Sequence, residues 1–416
     1  MTILNQWTQE NYFYSLDLGA HKLKACALKI NEQGTCEVAG IYEAATQGFG
    51  EDSVKDLNEL SESIHQIIEK LVAKTGVKAK HIQLGINGDL IFVRPANTVI
   101  PLVDRGLKVI SRKDIDKINH HARLLGVKMD EDVLHELPMH YTVDETSTAS
   151  NPLGLYGRTL GVDALLIGTR SNILRNITKA VHQAGYDVEN IFFSSYVASF
   201  EVLSQEQRTQ GVCLIDIGAK VTSILIFKDN ALKYVDIIRQ GGEQLTKNIA
   251  TQINVAYDLA DEIKKSYALA ISSPEHYDEE ILIKKEKNYV PVRREVICQA
   301  IQPSVAQLLR DIGNSLKISG LYHSLNQGIV LIGGGALLPG LIESIGESTS
   351  LHVQLGKMQN EAHKQIGNAA LFSTVVGLAH SAYQKTLSKK SSENGQSDNW
   401  ARNMVNRVVE LYNEYF

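Results

Sequence analysis

Two stretches of the sequence are nearly the same: LDLGAHKLKACALKI at 16–30 and LIDIGAKVTSILIFK at 214–228. Each places an aspartate two positions before a glycine and continues with residues that alternate towards apolar. This pattern predicts a strand, a tight turn and a second strand. A chain that repeats the unit in both of its halves is constrained to fold as two related halves, so we expect a duplicated α/β architecture.

Composition narrows the class of protein. A chain of 416 residues suits about two to four domains, and 44% hydrophobic with 21% charged residues is typical of a globular protein. The net charge of −5 gives no reason to expect a nucleic-acid partner. The four cysteines are scattered without a CxxC pattern, which argues against a zinc site or a disulfide framework. The N-terminal residues lack the pattern of a signal peptide, and no apolar run approaches the ~20 residues of a membrane span, so we expect a cytoplasmic protein.

Glycine-rich turns at four places predict a nucleotide-binding cleft between the two halves. Glycine lets backbone N–H groups approach phosphate oxygens closely, and Asp17 and Asp216 could hold a hydrated Mg²⁺ beside the phosphates. A glycine pair opens the predicted helix in RQGGEQLTKNIA, and Gly333–Gly335 lie between a predicted strand and a helix, where a flat base could lie on the backbone. An isolated Asp-x-Gly is more often a simple turn, but the order of the four elements favours the nucleotide cleft.

Five stretches in this order resemble a known superfamily: LDLGAHKLKA, NPLGLYGRTLGVDALLI, CLIDIGAKVTSILIF with RQGGEQLTKNIA, ADEIKKSYALA, and IVLIGGGALLPGL. Their order resembles the actin and heat-shock-chaperone ATPases and, within them, the FtsA family of bacterial cell-division proteins, over nearly the whole chain. The resemblance implies an actin-like, two-lobed α/β fold with duplicated ribonuclease-H-like cores. It also implies an inserted small α+β subdomain of the SHS2 type and a C-terminal amphipathic helix.

The resemblance predicts the following domain organisation. The first lobe comprises 10–80, 164–205 and 356–385, and the inserted subdomain comprises 81–163. The second lobe has a core of 206–247 and 318–355 and a small subdomain of 248–317. A flexible linker, 386–398, precedes the amphipathic helix, 399–416.

The same resemblance implies binding of ATP and Mg²⁺. The predicted nucleotide-binding residues, which lie at or beside the family motifs, are Asp17, Gly19, Lys22, Asp216, Gly218, Lys220, Gly242, Asp261, Lys264, Gly333, Gly334 and Gly335. Of these, Asp17 and Asp216 would bind Mg²⁺ through water. For Asp261 and Lys264, a solvated helix face is an equally good interpretation.

Two departures from the family pattern bear on hydrolysis. Lys220, Val221 and Thr222 stand where the family's second phosphate motif has glycine, threonine and threonine. The segment 192–200 lacks the acidic residue before a proline that many members have. A lysine beside the γ-phosphate could clamp ATP as a point charge or obstruct Mg²⁺ and the attacking water. We therefore assign no catalytic residue and expect ATP hydrolysis to be slow or absent.

The last residues predict an amphipathic membrane helix. At about 100° per residue the apolar side chains fall on one half of a helical wheel. These membrane-binding residues are Trp400, Met404, Val405, Val408, Leu411, Tyr412, Tyr415 and Phe416. Docking on the protein's own body or a coiled-coil seam is the alternative, but the polar stretch at 386–398 favours a tethered helix that lies in the lipid headgroup region.

The resemblance implies a scaffold protein at midcell. Such a protein polymerises on the inner face of the cytoplasmic membrane as a peripheral protein and anchors the C-terminal tail of FtsZ, the tubulin-like division protein. It also recruits other division proteins through the inserted subdomain. Arg294 matches a family position that binds the acidic FtsZ tail, as a guanidinium can, although a solvated helix start is an equally good interpretation. Two alternatives remain: an actin-like pilus-assembly protein that binds a membrane partner's peptide, and a sugar or acetate kinase on the same fold.

Overall fold

A computed structural model describes residues 11–31, 35–50, 53–271, 279–285, 288–360 and 366–393. The described strands are β1 (Tyr12–Leu18), β2 (Lys22–Ile30), β3 (Cys36–Ala45), β4 (His81–Ile86), β5 (Ile91–Pro101), β6 (Lys108–Val109), β7 (Glu131–Val143), β8 (Ser147–Ala149), β9 (Tyr156–Gly157), β10 (Thr159–Arg170), β11 (Asp187–Phe193), β12 (Val212–Ile217), β13 (Thr222–Lys228), β14 (Ala231–Ile238), β15 (Glu280–Lys285), β16 (Asn288–Arg293), β17 (Ile329–Ile332) and β18 (Val353–Leu355). The described helices are α1 (Leu57–Thr75), α2 (Arg112–Gly126), α3 (Ser171–Gln183), α4 (Ser194–Val202), α5 (Gln205–Gln210), α6 (Gly242–Ile253), α7 (Tyr257–Tyr267), α8 (Arg294–Ile318), α9 (Leu341–Thr349) and α10 (Ala369–Glu393).

The chain divides into two compact units. The first contains the described residues up to Ala198 and from Thr374 onward, with Ala231–Lys233, and the second contains Ser199–Asn230 and Tyr234–Ser373. Among the described helices, none is both long and apolar enough to cross a bilayer.

The sheets of the two units have the same construction. In the first unit the strand order is β11-β4-β1-β2-β3, with β1 antiparallel to β2 and parallel to β4. In the second unit the order is β14-β13-β12-β17-β18, with β12 antiparallel to β13 and parallel to β17. In both, a three-stranded meander is extended by parallel strands beside its first strand. The predicted duplication and the α/β class are confirmed.

Each of the two repeated stretches, 16–30 and 214–228, forms the predicted hairpin. Leu16 and Leu28 of the first hairpin are fully buried, as are Leu214 and Ile226 of the second. The strands β1 and β12 are mostly buried and apolar, and burial of such side chains contributes roughly 25 cal/mol per Å² of apolar surface. The two aspartates are therefore exceptions in otherwise apolar strands.

The inserted subdomain has a sheet of its own, in the order β5-β10-β7-β8. The helix α2 begins with a capping box of Ser111 and Asp114 and buries Ile118 against this sheet. The first and last strands of the insert meet at their ends, because Ile91 of β5 pairs with Thr169 of β10. We expected the insert to span 81–163. It begins later, because His81–Ile86 pairs with β1 in the first sheet, and it ends later, because β10 continues to Arg170.

Three further boundaries differ from the expected ones. Residues 199–205 and 356–373, which we placed in the first lobe, belong to the second unit. The amide of Gly356 donates to the carbonyl of Leu331, and the amide of Gln359 donates to that of Glu201. The helix α10 extends to Glu393, so residues 386–393 of the predicted linker are helical.

The second lobe's core and its small subdomain share one buried core cluster, which includes Ile215 of β12 and Ile301 of α8. The predicted division of this lobe into a core and a small subdomain stays a prediction.

Candidate functional site

The first Asp-x-Gly turn contains a buried carboxylate that is held by a serine. Asp17 is the sixth residue of β1 and is 8% exposed. The hydroxyl of Ser194, at the start of α4, donates to Asp17 Oδ1 at 2.7 Å. A Cβ on the adjacent Gly85 would lie 2.6 Å from Ser194 Oγ and 3.2 Å from Asp17 Oδ1. Gly85 therefore leaves the space in which this hydrogen bond forms.

The turn itself is closed by its own backbone and by Thr46. A Cβ on Gly19 would lie 2.5 Å from the carbonyl oxygen of Lys22, so the close approach requires glycine. The hydroxyl of Thr46 donates to the carbonyl of Gly19 at 2.8 Å. The ammonium of Lys22 forms an ion pair with Glu43, and both side chains are partly exposed. Exposed ion pairs contribute at most about 1 kcal/mol, so this pair leaves Lys22 able to bind a phosphate instead.

The second Asp-x-Gly turn packs directly against the first glycine of the triple glycine. Asp216 of β12 is 7% exposed and lies beside Ile332 of β17, so Gly333 follows at the same edge of the sheet. Gly333 has φ +88°, and its Cβ would lie 2.4 Å from the carbonyl oxygen of Ile217 and 2.5 Å from Asp216 Oδ1. Only glycine satisfies both the conformation and the contact.

The turn after Asp216 is joined to the start of α6. The amide of Gly242 donates to the carbonyl of Gly218 at 3.0 Å, and that of Glu243 donates to the carbonyl of Ala219 at 2.7 Å. The Cβ of an alanine at Gly241 would lie 2.5 Å from the first of these carbonyl oxygens and 2.6 Å from the second, whereas Gly242 has room for one. The glycine that this contact requires is therefore Gly241, which we did not predict, rather than the predicted Gly242.

Asp261 and Lys264 form a network that holds α6 against α7. The Lys264 ammonium donates to Asp261 Oδ1 at 2.7 Å, to the Thr246 hydroxyl at 2.6 Å and to the Gly242 carbonyl at 3.1 Å. Burial would raise the pKa of the Asp261 carboxyl, but hydrogen bonds from Lys264 and Lys265 outweigh burial and lower the pKa to about 2. These residues are not a solvated helix face, since Lys264 is only 15% exposed.

The residues that depart from the family motif differ in exposure. Val221 is buried, and the buried Thr222 donates its hydroxyl to the Gln240 carbonyl at 2.8 Å. Lys220 is half-buried and carries the cation closest in sequence to the Asp216 turn. Two of the three departures are thus part of the packing of the second unit, and Lys220 alone presents a charge.

A small apolar pocket lies beside the glycines of the second unit. Its lining includes Gly241, Leu245, Leu308, Gly335 and Leu338. A Cβ on Gly335 would lie 2.3 Å from Ile217 Cγ2, whereas at Gly334 it would meet only Leu371 at 3.8 Å. The cavity has a volume of about 10 Å³, which is room for about one water molecule.

The residues present fit a hydrated magnesium ion rather than a directly ligated metal. Among the described residues, no three or more His, Cys, Asp or Glu side chains come together in a way that could hold a metal ion. Asp17 and Asp216 are buried carboxylates near the ends of β1 and β12. Mg²⁺ keeps most of its water and binds proteins through one or two carboxylates together with phosphates.

Arg294 begins α8 and is mostly buried. Its Nε donates to the carbonyl of Tyr267 at 2.8 Å, and its Nη1 donates to Glu279 at 2.8 Å, with the Arg294 side chain 16% exposed and that of Glu279 50% exposed. The neighbouring Arg293 is exposed. The predicted membrane-binding residues, from Trp400 to Phe416, lie outside the described residues.

Known proteins resemble the chain over most of its length. The family model "Cell division protein FtsA" matches 213–377, and the model "SHS2 domain inserted in FTSA" matches 88–168; together they cover more than half of the chain. Cell division protein FtsA of Pseudomonas aeruginosa is 27% identical over 373 residues, which are 89% of each chain.

Two solved structures resemble the fold at low identity. The PilM-PilN type IV pilus biogenesis complex superposes with a TM-score of 0.63 and 17% identity over 89% of this chain and 98% of that one. MreB5 of Spiroplasma citri bound to ADP superposes with a TM-score of 0.54 and 13% identity over 93% of this chain and the whole of that one. At these identities the likeness establishes an actin-like fold.

Proposed function

Because the chain belongs to the FtsA family of cell division proteins, we propose that it binds ATP, assembles on the inner face of the cytoplasmic membrane and links FtsZ to that membrane at midcell. The observation that carries ATP binding is the close packing of Gly333 on Asp216, together with that of Gly241 on the turn after Asp216. A glycine that approaches a strand-end carboxylate this closely leaves backbone beside the carboxylate for a phosphorylated ligand. MreB5, whose structure contains ADP, has the same fold.

The residues of each unit have distinct roles in this proposal. Asp216 and Asp17 would orient water molecules of a hydrated Mg²⁺, which supplies charge neutralisation of the phosphates when bound. Lys220 would contact a phosphate as a point charge, and the backbone of Gly333–Gly335 would lie against the adenine ring. Because Lys220 adds a charge at a position where the family has glycine, we propose that hydrolysis is slow and that ATP acts mainly to fix a polymer-forming conformation.

The family match favours this function over its two rivals. The likeness to the PilM-PilN complex extends to the fold alone, and both family models describe FtsA. A sugar or acetate kinase would need an aspartate base beside a polar substrate pocket in the first unit. The buried carboxylate beside the first turn, Asp17, instead accepts a hydrogen bond from Ser194.

We propose self-assembly through two exposed apolar surfaces, one on each unit. The ribbon of β6 and β9 in the insert carries the first, made of Leu107, Val109, Leu153, Leu155 and Tyr156. The hairpin of β15 and β16 carries the second, with Leu282 and Tyr289. Exposed apolar clusters mark interaction sites, and a contact between unlike surfaces of successive copies propagates into a filament.

Substitution of Tyr156 by glutamate tests this assembly. We expect Tyr156→Glu to raise the critical concentration for filament formation at least about tenfold, because a desolvated carboxylate at the contact costs more than 1 kcal/mol. Filaments formed with Mg-ATP would be counted by electron microscopy and by sedimentation. Thr148→Glu, an exposed position on β8 of the same insert, should leave assembly unchanged. Equal assembly by both variants would show that the ribbon of β6 and β9 is not part of the filament contact.

We propose that the FtsZ tail binds at Arg293 and Arg294, and that it competes with Glu279 for the guanidinium of Arg294. A carboxylate of an acidic peptide could replace Glu279, because the Glu279 side chain is half exposed and its position is open to solvent. We expect Arg294→Ala to weaken binding of an FtsZ tail peptide about tenfold, and Glu279→Gln to strengthen it severalfold. Fluorescence anisotropy with a labelled peptide measures both. If Glu279→Gln changes nothing and Arg294→Ala lowers only the melting temperature, Arg294 is a structural residue.

A further inference from the structure

Three consecutive residues, Phe193, Ser194 and Ser195, join the phosphate-binding turn of the first unit to the inserted subdomain. They lie where β11 ends and α4 begins, and each is at most 1% exposed. Ser194 donates to Asp17 Oδ1 at 2.7 Å. The residues on either side of Ser194 contact side chains that belong to the insert or to the loop that leads into it.

Phe193 is bound by a buried histidine of the insert. Its amide donates to Nε2 of His135, which lies on β7, at 2.9 Å. Burial lowers the pKa of His135 to about 3, so the ring is neutral and Nε2 can accept. The His135 ring also packs against two aromatic rings. Its centroid lies 4.9 Å from that of Tyr196, in an edge-on contact, and 5.9 Å from that of Phe192, in a tilted one. The insert therefore fixes this junction through one hydrogen bond and two aromatic contacts.

Ser195 is bound by the residue that precedes the insert. Nδ2 of Asn87, which lies between β4 and the first turn of the insert, donates to Ser195 Oγ at 2.8 Å. Phe193, Ser194 and Ser195 thus bond in turn to the insert's sheet, to the Asp17 carboxylate and to the connection that leads into the insert. The first two contacts are buried and the third is partly buried, and buried polar contacts with a fixed geometry have few alternative arrangements.

We propose that Ser194 is a positioning residue for the Asp17 carboxylate and that the Phe193–Ser195 junction couples nucleotide binding to the inserted subdomain through His135 and Asn87. This inference rests on the proposed binding of Mg-ATP and specifies how the same site is regulated. When Asp17 takes up the hydration shell of the nucleotide's Mg²⁺, the Ser194 bond holds the junction in place, and the insert is ordered with it. Coupling of this kind is reciprocal, so a partner that binds the insert alters the affinity for Mg-ATP by the same factor.

Hydrogen–deuterium exchange of the full-length protein, with and without Mg-ATP, tests the coupling. In the wild type we expect Mg-ATP to slow exchange at the second Asp-x-Gly turn, 213–222, and also at 131–137 of the insert. Ser194→Ala and His135→Leu should keep the slowing at 213–222 and lose it at 131–137. His135→Gln, whose amide oxygen can accept from Phe193, should restore it. Ser63, one of the two buried serines of α1, provides the matched control, and Ser63→Ala should behave as the wild type.

The outcomes separate this inference from the proposed function. Absence of slowing at 213–222 in the wild type means that Mg-ATP does not bind, and the proposed function fails. Slowing at 213–222 without slowing at 131–137, or slowing at 131–137 that persists in Ser194→Ala, overturns the coupling alone. If His135→Leu does not fold, the Ser194→Ala result decides.

Affinity gives a second, independent readout of the positioning role. Ser194→Ala should weaken binding of Mg-ATP about tenfold, and binding of ATP in excess chelator by less, because Asp17 acts through the metal's water. A purely structural role for Ser194 would weaken both equally.

Discussion

Replacing Gly333 with alanine is expected to abolish measurable ATP binding. The residue has φ +88°, where a side chain costs about 1–3 kcal/mol. Its Cβ would also lie 2.4 Å from the Ile217 carbonyl oxygen and 2.5 Å from Asp216 Oδ1. The strand end must therefore move, and the proposed Mg²⁺-orienting carboxylate moves with it. We expect at least about a hundredfold loss of affinity by titration calorimetry, which corresponds to about 2.7 kcal/mol.

Gly334→Ala is the matched control, because it changes the neighbouring glycine of the same motif. Its Cβ would meet only Leu371 at 3.8 Å, an ordinary van der Waals distance. We expect binding within about twofold of the wild type and unchanged stability. If Gly334→Ala is as damaging as Gly333→Ala, the base lies against Gly334, and the crowding at Asp216 is not what makes the motif essential.

Removal of the residues after Ser397 is expected to release the protein from lipid completely. The apolar half of 399–416 would supply the membrane affinity, since insertion of Trp, Phe and aliphatic side chains into the headgroup region contributes about 25 cal/mol per Å² of buried apolar surface. The polar half has two arginines and two glutamates, so attraction to anionic lipid adds little. Co-sedimentation with liposomes in Mg-ATP should pellet the full-length protein and leave the truncated form in solution.

Paired point substitutions separate membrane insertion from loss of the segment. Trp400→Glu and Asn403→Glu add the same charge, but the first changes the predicted apolar half and the second changes the polar half. We expect Trp400→Glu to reduce pelleting at least about tenfold and Asn403→Glu to reduce it little. Failure of the full-length protein to pellet would show that the segment binds protein instead, and would favour the pilus-type or enzymatic alternatives.

The sequence was sufficient to predict the parts of the fold that depend on local patterns. The two Asp-x-Gly lines predicted both hairpins, and their repetition predicted the matching sheets. The predicted domain boundaries were wrong where the assignment of a strand depends on the strand with which it pairs. His81–Ile86 has the pattern of any buried strand, and only its pairing with β1 assigns it to the first sheet. The polar residues after 385 predicted a linker, but lysine, serine and glutamate do not stop a helix, and α10 continues to Glu393.

The candidate site was predictable only where a motif names the residue. Asp17 and Asp216 stand out as acids in apolar strands. Ser194 carries no such signal, because its bond to Asp17 depends on the order of β11, β4 and β1 in the sheet. Gly241 could not be distinguished from Gly242 in the sequence, since a glycine pair does not reveal which of its members makes the close contact.

The two ends of the insert lie next to each other, since Ile91 and Thr169 are paired neighbours. A segment whose ends are adjacent can be removed, shortened or exchanged by joining two nearby backbone positions, without re-threading any other strand. In evolutionary terms, the core of the first unit and the insert can therefore change independently. For protein engineering, the same geometry permits a chimera in which residues 91–169 are replaced by the corresponding segment of a relative while the five strands of the first sheet keep their order.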